Sequence, residues 1–110
     1  MEEAIKTGMP SGLKELGNWS TVYEGLSQLP KHIQKSWFEF DHHYSDPIFN
    51  EALQIVFEYN PKHIFDIGGN TGKFALQSLK QSEDTQITIV DLPGQLHKAL
   101  GNIVDAGFKE

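Results

Sequence analysis

The strongest constraint on the fold is the run Asp66-Ile67-Gly68-Gly69-Asn70-Thr71-Gly72, which follows an apolar segment and opens a helical one. His63-Ile64-Phe65-Asp66-Ile67 is short, β-rich and apolar on both faces, the pattern of a buried parallel strand. Phe74, Ala75, Leu76 and Leu79 then predict a helix through about Lys80, and Gln81 to Thr85 is a polar loop. Passing from strand to helix in so few residues requires a tight turn. Glycines there supply positive φ and let a ligand approach the backbone, and Asn70 also tolerates the left-handed region. The free N–H groups at a helix start suit an anion or a carboxylate. Ile87-Thr88-Ile89-Val90 reads as a second strand ending at Asp91. After the Pro93-Gly94 turn, Leu96, Ala99, Leu100, Ile103 and Val104 predict a further helix. The order β-α-β-α implies α/β architecture with a right-handed parallel unit.

The segment before the turn reads as helical. Trp19, Val22, Tyr23, Leu26 and Leu29 follow helical spacing and stop at Pro30. Ile33, Trp37 and Phe40 predict a second helix. Asp46-Pro47 is a helix start signal, with Asp46 as N-cap and Pro47 at the first helical position. Ile48, Phe49, Ala52, Leu53, Val56 and Phe57 form the face of that third helix, which Asn60-Pro61 ends. Residues 1–18, with Pro10, Gly12 and Gly17, read as loop or flexible lead-in. The expected organisation is therefore a lead-in over 1–18, a helical connecting segment on the substrate side over 19–60, and half of a doubly wound sheet over 61–110.

Composition excludes several classes. The chain has 110 residues, one small domain's worth, and 11% aromatics argue against disorder throughout. Without Cys there is no disulfide scaffold, thiolate metal site or Cys nucleophile. No apolar run approaches the roughly 20 residues that span a bilayer. The acidic start, Met1-Glu2-Glu3-Ala4-Ile5-Lys6, does not read as a signal peptide, so a cytoplasmic location and no membrane partner are expected. A net charge of −6 and the absence of Arg speak against nucleic acid as a partner. His32, His63 and His97 are scattered and suggest no metal site.

Asp91 stands 23 residues after Gly68, at the end of the second strand. In nucleotide-binding α/β folds an acidic residue at about that spacing accepts hydrogen bonds from ribose hydroxyls. A carboxylate has only acceptor sites and can engage both hydroxyls of a cis-diol. The glycine spacing is not that of a dinucleotide fingerprint, since Asn70 and Lys73 stand where glycines belong. Nor is it a P-loop, because no Gly-Lys-Ser/Thr follows.

Asp66-Ile67-Gly68-Gly69-Asn70-Thr71-Gly72 instead resembles motif I of class I S-adenosylmethionine-dependent methyltransferases. Val90-Asp91-Leu92-Pro93 resembles their acidic motif after the second strand. The Asp-Leu-Pro signature is similar to the small-molecule O-methyltransferases of the plant caffeate/hydroxyindole type and their bacterial relatives. Trp19 to Leu26 and Trp37-Phe38-Glu39-Phe40 resemble the helices that precede motif I there, so the resemblance covers roughly residues 17–108. The family's Phe-x-x-x-Met stretch matches Phe40 to Tyr44, with Tyr44 in place of Met, and Asn70 replaces the usual middle glycine.

The resemblance implies a Rossmann-like fold, S-adenosylmethionine as cofactor and methyl transfer to a hydroxyl of a small molecule. It implies that Gly68, Gly69, Asn70 and Gly72 approach the methionine moiety, Asp91 the ribose and Leu92 the adenine. Tyr44 and Ser45 face the cofactor and Phe40 the substrate side. The family's base is a His on a later helix, so His42 and His43 are not assigned that role and the catalytic residue is left open. The family's chains are about three times longer and begin with a dimerisation domain. A fragment is therefore expected, with self-association through the bare sheet edge or the missing dimerisation domain. Two alternatives remain open: a nicotinamide-dependent Rossmann oxidoreductase, and a truncated, catalytically inactive binding module.

Overall fold

The two apolar runs that frame the glycine turn form the sheet. β1 (His63–Ile67) and β2 (Gln86–Val90) pair in parallel, with His63 opposite Gln86 and Ile67 opposite Val90. Their β-branched and aromatic side chains suit a pleated backbone. β1 has the expected bounds, and β2 begins one residue earlier than expected.

The expectation that β1 is buried on both faces is not met. Ile64, Asp66, Ile87 and Ile89 are half-buried on one face of the sheet. On the opposite face Phe65, Ile67 and Val90 are exposed at 62%, 80% and 47%. A strand's apolar pattern shows which faces can be buried, and burial itself needs an element laid over each face.

The computed structural model of the chain describes residues 1–9 and 11–109, so the reading of Pro10 as a loop residue lies outside the described residues. The chain divides into two compact units, Met1–Glu39 and Phe40–Glu110.

In the first unit, residues expected to be loop form a short helix α1 (Glu2–Thr7) and a 3-10 turn over Ser11–Glu15. α1 buries no residue and is held locally. Lys6 Nζ pairs with Glu2 Oε1 at 2.7 Å, acidic residues fill the first turn, and Gly8 closes the helix at φ 67°. The helix expected over 19–29 is shorter, α2 (Val22–Gly25) followed by a 3-10 turn, Leu26–Gln28. Thr21 Oγ1 accepts from the Glu24 N–H and Glu24 Oε2 from the Ser20 N–H, a reciprocal cap that fixes where α2 starts. The Trp19 indole occupies the space where side chains at Gly17 and Gly25 would stand. Leu26 and Leu29 are buried.

α3 (Lys31–Glu58) is one helix of 28 residues, which corrects the reading of Asp46-Pro47 as a helix start. Pro47 lies inside it, and its missing N–H and ring cost about 3 kcal/mol in a helix interior. Packing of the turns that follow Pro47 offsets that cost. Leu53 is buried, and the Phe49 ring meets Phe74 edge-on at 5.4 Å. Asp46 does not cap; its carboxylate pairs with the Lys73 ammonium. α3 ends as expected, with Asn60 in the left-handed region at φ 48° just before Pro61.

α4 (Lys73–Gln81) connects the strands and packs against β2, and α5 (Pro93–Asp105) follows; Pro93 and Gly94, expected as a turn before it, instead form its first turn, because proline's fixed φ suits the first helical position. Both carry buried small or polar side chains: Ala75 and Ser78 on α4, Gln95 and Ala99 on α5. The unit is the expected β-α-β-α, preceded by helix. No described helix is long and apolar enough to cross a membrane.

Candidate functional site

The turn between β1 and α4 contains three residues with positive φ: Gly68 at 73°, Asn70 at 52° and Gly72 at 77°. The Gly68 N–H donates to the Val90 carbonyl at 2.8 Å, which carries the ladder one residue past β1. The Gly72 N–H donates to the Gly69 carbonyl at 2.9 Å, and Gly72 then caps α4. A Cβ at Gly69 would lie 2.7 Å from both Asp66 Oδ2 and Ile89 Cγ2. One at Gly72 would lie 3.1 Å from Ala99 Cβ. At Gly68 nothing lies within 4 Å. Gly69 and Gly72 thus serve packing, whereas Gly68 leaves the backbone open to a ligand.

Asp91 braces this turn. Its Oδ2 accepts the Asn70 N–H at 2.7 Å and its Oδ1 accepts the Leu92 N–H at 2.7 Å. The expected pairing of glycine turn and strand-end carboxylate is therefore a direct contact. The carboxylate is half-buried rather than sitting at an exposed tip. Each oxygen keeps a second acceptor site, because a carboxylate offers about four.

Asp66, the last inward residue of β1, lies beneath Gly69. Its Oδ2 is buried without a hydrogen-bond partner. Burial holds its carboxyl above the usual carboxylate range, and repulsion from Asp91 adds to the shift.

A cleft of about 530 Å³ lies over these residues, with Asp66 to Asn70, Lys73 and Phe74 on one side. The facing stretch of α3 supplies Asp41, His42, Ser45, Ile48, Phe49 and Ala52. A larger groove of about 960 Å³ runs along β2 and α5. Its walls mix aliphatic residues, such as Ile87, Leu96, Leu100 and Ile103, with polar ones, such as Glu83, Gln86 and Thr88, and among the described residues it contains neither the glycine turn nor a buried carboxylate lacking a partner.

Of the residues expected at the site, Ser45, Gly68, Gly69 and Asn70 line the cleft together. Gly72 is turned to α5, and Asp91 reaches the cleft edge through Asn70. Leu92 is exposed and stands outside the lining. Phe40 and Tyr44 also stand outside it, on an exposed side of α3, where their rings meet edge-on at 5.1 Å.

Asp41, His42, Phe49, Asp66, Lys73 and Phe74 are lining residues that the sequence reading did not single out. The signal for the α3 group was the helical spacing of residues 41, 45, 48 and 52, which appears only once α3 is read through Pro47 as a single helix. Among the described residues no cluster of His, Asp or Glu can hold a metal ion.

Comparison with protein-family models finds no match, and comparison with curated proteins finds none either. Among solved structures, the chain is similar to the S-adenosylmethionine-dependent methyltransferase SibL in its apo form, with a TM-score of 0.61 and 22% identity. The fold is methyltransferase-like. The similarity covers 99% of this chain and 32% of SibL, so the chain spans about a third of that protein's length.

Proposed function

We propose that the cleft binds S-adenosylmethionine and that the chain serves methyl transfer to a hydroxyl of a small molecule. The observation that carries this reading is Asp66 Oδ2, a buried carboxylate oxygen without a protein partner, beside an unobstructed glycine backbone. A buried, unpaired carboxylate is costly and is relieved by a cationic donor. S-adenosylmethionine carries an ammonium that donates hydrogen bonds beside its sulfonium, whereas nicotinamide adenine dinucleotide has a pyridinium whose ring nitrogen carries no N–H, and an anionic diphosphate. The residues present therefore fit the cofactor that the fold suggests.

Asp66 would hold the cationic end of the cofactor, the Gly68–Asn70 backbone would lie along it, and Asp91 would take the ribose with its remaining acceptor sites. When bound, the cofactor supplies a methyl group already activated on sulfur, so the protein's task is positioning and exclusion of water. Phe49, Ile48, Ala52 and Phe74 give the cleft an apolar wall. His42 Nε2 is already engaged with Thr71 Oγ1 at 2.9 Å, which suits holding structure rather than taking the acceptor's proton.

The test is calorimetric titration of the 110-residue chain with S-adenosylmethionine, S-adenosylhomocysteine and NAD. Binding of the two adenosyl compounds without NAD is the expected result. Binding of NAD alone would overturn the assignment in favour of an oxidoreductase.

A further inference from the structure

The residues that contact the glycine turn from α3 form a polar set confined to one short stretch. Asn70 Nδ2 donates to Asp41 Oδ2 at 2.6 Å. Thr71 Oγ1 lies 2.9 Å from His42 Nε2, and the Lys73 ammonium pairs with Asp46 Oδ2. His42 Nδ1 and Asp46 Oδ1 lie side by side at 3.3 Å, both buried and not hydrogen-bonded to each other. Three side chains of α3 thus reach three residues of the turn and the first turn of α4.

Asn70 is the informative member. It holds a left-handed φ of 52°, a region that glycine adopts most readily and that asparagine tolerates. A glycine at position 70 would relax the backbone and lose the bond to Asp41. The side chain is therefore present for the link to α3, not for the turn itself.

We infer that Asp41, His42 and Asp46 act as positioning residues that clasp the turn in its ligand-receiving shape, with His42 as the central link. The Asp41–Asn70 bond is exposed, whereas Thr71 is buried and His42 is half-buried. Water competes less at the His42–Thr71 contact, so that contact dominates the clasp. Asn102 Nδ2 holds the Thr71 carbonyl from α5 at 2.9 Å. Thr71 is thereby fixed from two sides, and loss of the His42 contact releases only one of them. The effect on affinity rests on the adenosyl-ligand reading above; the effect on the turn does not.

The test is hydrogen exchange of the ligand-free chain together with titration of S-adenosylhomocysteine, for wild type, His42→Leu, His42→Gln and Thr71→Val. In His42→Leu and Thr71→Val the Asn70 and Gly72 amides should exchange about fivefold to tenfold faster, as expected for loss of one buried hydrogen bond. The amides of Ile64 to Asp66 should keep their protection, because the β1–β2 ladder is untouched. His42→Gln, whose side-chain amide can still reach Thr71 Oγ1, should restore slow exchange, a rescue that simple filling of space would not produce. Affinity for S-adenosylhomocysteine should fall in step with the loss of protection.

Unchanged exchange at Asn70 and Gly72 in both His42→Leu and Thr71→Val would overturn the clasp. If one of the two variants fails to fold, the other decides. Faster exchange in a wild-type background that never binds S-adenosylhomocysteine would leave the clasp standing and sink the ligand reading. Binding by wild type and by His42→Leu with equal affinity, despite faster exchange, would show that the clasp does not position the ligand.

Discussion

Asp66 is the residue on which stability and function conflict. Its folded-state pKa lies above the ordinary value of 3.8, because of burial first and Asp91 second. A carboxyl raised in this way binds its proton more tightly in the folded state. Folding stability is then lost as pH rises from the ordinary value through the folded one, and the loss is complete above it. Asp66→Asn removes that loss. The variant should melt higher than wild type at neutral pH, and its advantage should shrink as pH falls towards 4 or below. The same change removes a charged acceptor from the cleft and should weaken S-adenosylmethionine binding by at least about tenfold, the order expected for one charge-assisted hydrogen bond. Melting temperature against pH and calorimetry on both proteins check the two halves. A variant with the wild-type pH profile would show that Asp66 is not the group responsible. Asp66 stood inside the quoted glycine motif, yet only its burial and its lack of a partner mark it out, and neither is visible in a string of letters. Asp91 shows the reverse: its spacing marked it out as a ribose carboxylate, but its use as a brace for the Asn70 and Leu92 amides depends on atoms the sequence does not place.

At the scale of elements, legibility followed the strength of local signals. β1, β2 and α4 were readable to within a residue or two, because glycine and polar punctuation coincide with changes in hydrophobic period, whereas α5 begins at the Pro93-Gly94 pair that was read as a turn. α3 was misread at Asp46-Pro47 because the cap signal there is as good as any in the chain, and only tertiary contact overrides it. Residues 1–18 were read as loop because Pro10, Gly12 and Gly17 break them up, while short helical turns between breakers need only local bonds. Proline inside α3 carries a prediction. Pro47 is exposed, so alanine there fits without a clash and restores a backbone donor to the His43 carbonyl. Pro47→Ala should stabilise the chain by about 1–3 kcal/mol in urea unfolding. A loss of stability would mean that the helix geometry imposed by Pro47 is needed to seat Asp41, His42 and Ser45 in the cleft.

For the whole molecule, two levels of statement differ in what supports them. The methyltransferase-like fold rests on the similarity to SibL over nearly all of this chain. The ligand rests on a cleft where a buried carboxylate, an open glycine backbone and a polar α3 face converge within Phe40–Glu110. The methyl acceptor was not legible in the sequence. Phe40, assigned to the substrate side on family resemblance, stands with Tyr44, assigned to the cofactor, on an exposed side of α3 outside the cleft lining.

The most direct measurement is ¹H–¹⁵N chemical-shift mapping of the chain on addition of S-adenosylmethionine. The account predicts that the largest shifts fall on Gly68, Gly69, Asn70, Ser45 and Leu92, and that they diminish in Asp66→Asn. Shifts confined to the groove along β2 and α5, at residues such as Leu100, Ile103 and Phe108, would contradict it.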